Sequence, residues 1–194
     1  MIMHGRNLTA RRGFTLIEVM IALFVFAVGI LTVAGLQIVS KKANYDAVQR
    51  TTATLLAKDI IQRMRVADDD DWDLYLVEDL GMGSLGAPGV MCDNGVSCSP
   101  EQMAAFDLYE WEQALDGVSE GNSGGLVDPS ACVRGPAAGG EGTYFVIIAW
   151  RGTTELSNPV IDNGINGLGS CGAGGYDTND AYRRVLMFTT YMSP

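Results

Sequence analysis

The feature that most constrains this chain is an apolar run from Phe14 to Leu36, 23 residues with one charge, Glu18. At a helical rise of 1.5 Å per residue the run makes roughly 35 Å of helix, enough for a hydrocarbon layer of about 30 Å. Arg6, Arg11 and Arg12 precede it, and this basic flank predicts a cytoplasmic N-terminus with the rest of the chain across the membrane. The apolar region of a cleavable secretory signal is only about 7 to 15 residues long and ends at a small-residue site. The plainest reading is a single-pass anchor.

Glu18 does not fit a plain anchor. A carboxylate inside hydrocarbon costs about 2.5 to 3.5 kcal/mol on insertion scales, and such groups usually have a partner. The span contains no basic residue. A cut between Gly13 and Phe14 would create an α-amino group one helical turn from Glu18, and the amine of a neighbouring copy could pair with the carboxylate. Glu18 would then also lie at the positive end of the helix dipole.

Arg11-Arg12-Gly13-Phe14-Thr15-Leu16-Ile17-Glu18 resembles the class III signal of type IV pilins and pseudopilins. The resemblance implies that a prepilin peptidase cuts between Gly13 and Phe14, that Phe14 is N-methylated, and that Glu18 aligns the incoming subunit during assembly. Residues 1–13 are then a cleaved leader, 14–36 the transmembrane half of a long helix, 37–67 its amphipathic half, and 68–194 an extracytoplasmic globular domain.

The 194 residues suit one span and one such domain. Formal net charge is -10; losing the leader removes three arginines and no acid, which leaves 10 basic and 23 acidic side chains, or -13. Nucleic acid is therefore excluded as the main partner, because phosphate contacts need clustered Lys and Arg. Four cysteines outside the cytoplasm read as disulfides. Three pairings exist; proximity favours Cys92 with Cys98, which leaves Cys132 with Cys171. A zinc site lacks both the Cys-x-x-Cys spacing and a histidine, since His4 belongs to the leader.

Residues 37–67 contain no Pro or Gly, so the helix is expected to run from Phe14 to Ala67, with Gly29 and Gly35 as its weak points. Val48, Thr52, Leu55, Leu56, Ile60 and Met64 form the expected packing stripe, and Lys41, Lys42, Arg50, Lys58 and Arg63 the solvated face. Asp68 to Asp71 oppose the dipole at the helix C-terminus and predict its stop. Asp69, Asp71 and Asp73 are the candidate calcium ligands, although the run lacks the spaced ligands and turn glycine of a defined loop. No Lys or Arg lies between Arg65 and Arg134, which predicts an acidic face for a basic partner.

Gly81-Met82-Gly83-Ser84-Leu85-Gly86 has the letters of a dinucleotide fingerprint, but Pro88 and Gly89 follow where a helix should open. It reads as a flexible loop, and no cofactor is expected. Ser99-Pro100-Glu101-Gln102 predicts a capped helix start, with Ala104, Leu108, Trp111 and Leu115 as the buried stripe. Glycine clusters at 117–125, 135–142 and 163–175 separate β-like runs at Leu126 to Val133, Thr143 to Arg151 and Arg183 to Tyr191, without helical crossovers. The fold class is thus α+β: a long N-terminal helix packed on a domain with an antiparallel sheet and a short helix. The Gly-rich loop from Ser157 to Asp180 needs a staple, which supports joining Cys171 to Cys132.

Ala57 to Arg65, the Cys92 to Cys98 loop before a helix with Asp107 and Trp111, Tyr144 to Gly152, Cys171 and the strand from Arg183 resemble the PilV family of type IV pilus modification proteins. This implies a minor pilin that helps initiate pilus assembly near the fibre tip. The implied partners are other minor pilins, the major pilin, prepilin peptidase, a tip adhesin and the inner membrane, and the implied location is that membrane before assembly and the pilus (fimbrium) afterwards. A type II secretion pseudopilin and a membrane-anchored adhesive module are the alternatives. Enzyme activity is not expected, because the mature chain has no histidine and no Ser or Lys in a recognisable nucleophile motif.

Overall fold

The structure is a computed structural model and describes residues 13–93, 95–118, 124–136, 140–157, 168–177 and 179–194. The chain divides into two compact units, residues 1–43 and 44–194. In the first, Gly13 to Thr15 are non-helical and the helix α1 (Leu16–Val66) begins. The most apolar 18-residue window of α1 has mean hydropathy 2.7 and none of it is buried in the chain. Length and composition therefore allow it to cross a membrane. Gly29 and Gly35, the expected weak points, both lie within the helix, which runs through them without a break.

The second unit takes the C-terminal part of α1, which ends at Val66 just before the acidic run. Asp69–Tyr75 forms a 3-10 helix, followed by β1 (Val77–Leu80), α2 (Pro100–Asp116), β2 (Ser130–Arg134), β3 (Gly142–Arg151), a 3-10 turn at Leu168–Ser170 and β4 (Arg183–Met192). The strands form one antiparallel sheet in the order β1-β2-β3-β4. A long N-terminal apolar helix and a C-terminal antiparallel four-stranded sheet with a helix make the α+β fold expected from the sequence.

One core joins α1, α2 and the sheet. Ala53, Ala57, Ile60 and Met64 of α1 meet Trp111 and Leu115 of α2 and Val146 and Ile148 of β3, all fully or almost fully buried. Two alanines on the facing side of α1 leave room for this close approach. The opposite face of the sheet buries Ile147 over Cys132 and Cys171.

The buried stripe of α1 differs from the expected one. It runs through Gln49, Ala53, Ala57, Ile60, Ile61 and Met64, whereas Val48 is 60% and Leu55 62% exposed. Apolar spacing admits two overlapping stripes here, and Gln49 decides between them. Its amide donates to the Gly125 carbonyl at 3.2 Å and accepts from the Val127 N–H at 3.1 Å. A polar side chain bonded at both ends can be buried without loss. Arg63 is likewise half-buried and ion-paired rather than solvated.

Local signals located α2 well. Ser99 accepts from the Gln102 N–H and Gln102 reaches back to the Ser99 N–H, a complete capping box, with Pro100 in the first turn. β2 begins at Ser130 rather than Leu126, because Pro129 has no N–H for the ladder and Asp128 turns the backbone at φ 47°. β1 was not expected at all. Its four residues include two acids and an irregular register at Asp79, φ 50°, so no alternation marks it. Residues 1–12 of the leader and parts of the three glycine clusters lie outside the described residues.

Candidate functional site

Two regions carry the functional candidates. The first is the junction around Gly13 and Phe14, which is non-helical and accessible. Phe14 is 83% exposed, and among the described residues a side chain at position 13 would meet nothing within 4 Å. Thr15 starts the helix, its hydroxyl and carbonyl oxygens accepting from the Glu18 N–H at 3.3 and 3.1 Å. Glu18 is thereby placed in the first turn of α1, where its charge meets the positive end of the dipole. It forms no ion pair among the described residues. A protease would find an unstructured peptide bond at Gly13, and an amine released at Phe14 would lie about one turn from the carboxylate.

The second region is the acidic segment of the domain, which turns much of its charge inward. Asp107 on α2 accepts from Arg63 at 2.8 Å and from the Tyr75 hydroxyl at 2.7 Å. Arg63 also donates to Asp59 at 3.0 Å and Glu110 at 2.9 Å. Burial opposes the Arg63 charge, but the bonds to Glu110 and Asp107 outweigh it and hold the guanidinium above its ordinary pKa. Burial, then the bond to Asp107, raises Tyr75. Glu112, fully buried, accepts from the Ser84 N–H and hydroxyl, each at 2.6 Å, and from the Leu85 N–H at 2.9 Å. Asp116 takes the Met82 and Gly83 N–H groups at 2.9 Å each. The expected flexible loop at 81–86 is therefore clamped by two carboxylates, and the expected acidic face is in part a set of internal anchors.

Asp69, Asp71 and Asp73, the calcium candidates, sit on the 3-10 helix. At three residues per turn these alternate positions point about 120° apart around the axis, so the structure does not bring the three carboxylates together. Burial, then the neighbouring charges of Asp68, Glu101, Asp70 and Asp73, raises the pKa of Asp71. Cys92 is bonded to Cys98 and Cys132 to Cys171, so all four sulfurs are in disulfides. Cys92 to Cys98 closes the loop just before the Ser99 cap, and Cys132 to Cys171 ties β2 to the segment after the Leu168–Ser170 turn.

Sequence reasoning missed the Arg63, Asp107 and Tyr75 group and the Glu112 clamp. A signal was present in α2, where Asp107 and Glu112 adjoin the apolar stripe positions Leu108 and Trp111. Acids flanking a buried stripe are shielded from water and require donors.

Against known families, residues 8–34 match the model described as Prokaryotic N-terminal methylation motif, and residues 35–109 match the model described as Type IV pilin Tt1218. No curated protein and no solved structure matches the chain. With the fold and the junction at Gly13, these matches show a type IV pilin domain behind a prepilin N-methylation motif. The class is structural rather than enzymatic, and it supports membrane anchoring by α1, incorporation into a pilus or pseudopilus, and contact with other pilins and with prepilin peptidase.

Proposed function

We propose that the chain is a minor pilin of the PilV type that primes type IV pilus assembly and sits near the fibre tip with other minor pilins. The bond between Gly13 and Phe14 is cut, Phe14 is N-methylated, and Glu18 pairs with the α-amine of an adjacent subunit as α1 enters the fibre. Before assembly α1 spans the inner membrane with its N-terminus in the cytoplasm and residues 68–194 in the periplasm. Glu18 carries the reading. A carboxylate in the first turn of an otherwise uncharged span has a cost that a neighbouring amine offsets, and the methylation motif matched over residues 8–34 creates that amine.

The intact, non-reduced mass of protein from its own membranes tests the processing. The expected mass lacks residues 1–13, is raised by about 14 Da for one methyl group, and is lowered by about 4 Da for two disulfides. An uncut chain would overturn the reading. Glu18→Gln tests assembly. It should leave the cut intact and abolish incorporation into pili, and normal piliation would overturn the pairing.

A further inference from the structure

The sheet has two edges, and they are treated differently. β1 is short, carries Glu78 and Asp79, and has a register irregularity, which are common devices that stop an edge from pairing with another chain. β4 is long and unbroken, and its only charges are Arg183 and Arg184 at one end. Its ten residues pair with β3 without a break from Arg183↔Arg151 to Met192↔Gly142, and Arg183-Arg184-Val185-Leu186-Met187-Phe188-Thr189-Thr190-Tyr191-Met192 contains no Pro, Lys or acid. Beyond β3, no backbone hydrogen bond reaches residues 184–192 among the described residues. Every second residue of an antiparallel edge turns its N–H and C=O outward, so about five residues offer a free ladder.

The charges beside this edge indicate what it takes. Residues 184, 186, 188 and 190 share one face, since side chains alternate along a strand. On that face Lys58 lies over the Phe188 ring at 5.9 Å from its centroid, Arg65 donates to the Thr190 hydroxyl at 2.8 Å, and Arg184 donates to the Thr154 carbonyl. Arg183 and Tyr191 have carboxylate partners in Asp180 and Glu141, but Lys58, Arg65 and Arg184 form no ion pair among the described residues. Three cations without carboxylates, in a chain of net charge -10, lie along one side of one open edge.

We propose that the free edge of β4 is a docking site for an extended, carboxylate-bearing segment of a partner protein, which adds to the sheet as a fifth strand. Main-chain hydrogen bonds supply the affinity, and acidic side chains facing Lys58, Arg65 and Arg184 supply the selectivity. A second copy of this chain fits less well. Symmetric antiparallel pairing centred on Met187 sets Thr190, with its bound Arg65, against Arg184 of the copy, where like charges repel.

The test uses the full chain in detergent and two synthetic peptides, one alternating valine with glutamate and one alternating valine with lysine. Hydrogen exchange and fluorescence anisotropy are read on each. The glutamate peptide should slow exchange at alternate amides of β4 but not of β1, and should bind roughly tenfold more tightly than the lysine peptide. The double variant Lys58→Glu/Arg65→Glu, which alters exposed helix side chains and leaves β4 itself intact, should reverse that preference. Absence of β4 protection with either peptide, or equal binding of both, overturns the proposal. So does β4 protection that rises with protein concentration without peptide, which would make the occupant a second copy.

Discussion

Arg63, near the end of the long helix, and Asp107, in the middle of α2, form an ion pair of 2.8 Å across 44 positions of sequence. The Asp107 side chain is 13% exposed, and the Tyr75 hydroxyl fills its second oxygen at 2.7 Å. Three elements are thus locked by one carboxylate. Asp107→Ala would leave the half-buried Arg63 guanidinium without one of its three carboxylates and the Tyr75 hydroxyl without its acceptor, and we expect a loss of about 2 to 3 kcal/mol in denaturant unfolding. Tyr75→Phe, which removes a single donor, should cost about 1 kcal/mol. Equal effects of the two variants would contradict this division.

Burial raises the hydroxyls of Tyr75 and Tyr176 above the ordinary value of 10.0. A group whose folded pKa is raised contributes stability that is complete below its unfolded pKa and is lost as pH rises through and beyond it. Stability should therefore be level through neutral pH and fall above about pH 10. The double variant Tyr75→Phe/Tyr176→Phe should flatten this alkaline limb in denaturant titrations, and an unchanged limb would count against it.

Glu112 holds Ser84 and Leu85 through three bonds from a fully buried position. Glu112→Ala orphans two backbone donors and opens a cavity, with an expected cost of about 3 kcal/mol. Hydrogen exchange should rise at Ser84 and Leu85 before the core strands are affected. Exchange that rises uniformly over the domain would show that the loop is not held by this side chain.

Gly117 ends α2 at φ 72°, and a Cβ there would lie 2.3 Å from the Gly125 nitrogen. The close approach allows the Leu126 N–H to bond to the Leu115 carbonyl at 2.8 Å. Gly117→Ala combines a left-handed backbone with a main-chain clash, so a loss of about 2 to 4 kcal/mol is expected, measurable as a lower urea midpoint.

The two disulfides should contribute unequally. Cys132 and Cys171 are 39 positions apart and Cys92 and Cys98 six. In the loop-entropy account this corresponds to about 4 and about 2 kcal/mol. Paired alanine substitutions compared in urea should show the larger loss for Cys132 and Cys171, and the reverse order would show that the Ser99 cap depends on the shorter bridge.

What the sequence determined by itself was local. The apolar run with its one acid, the acidic stop after Val66, the Ser99 capping box and the two long strands were legible because each depends on residues a few positions apart. The N-methylation motif at the head of the run was readable for the same reason, since its residues are contiguous. Only the tertiary structure decided which side of α1 is buried, because Gln49 finds its partners at Gly125 and Val127, far along the chain. It likewise turned Asp107 and Glu112 from expected surface charge into anchors and made a strand of Val77–Leu80. A short polar segment or a single carboxylate has no periodicity to announce its place. Its position follows from donors that arrive only when distant elements pack, and those contacts also leave β4 as the open edge of the sheet.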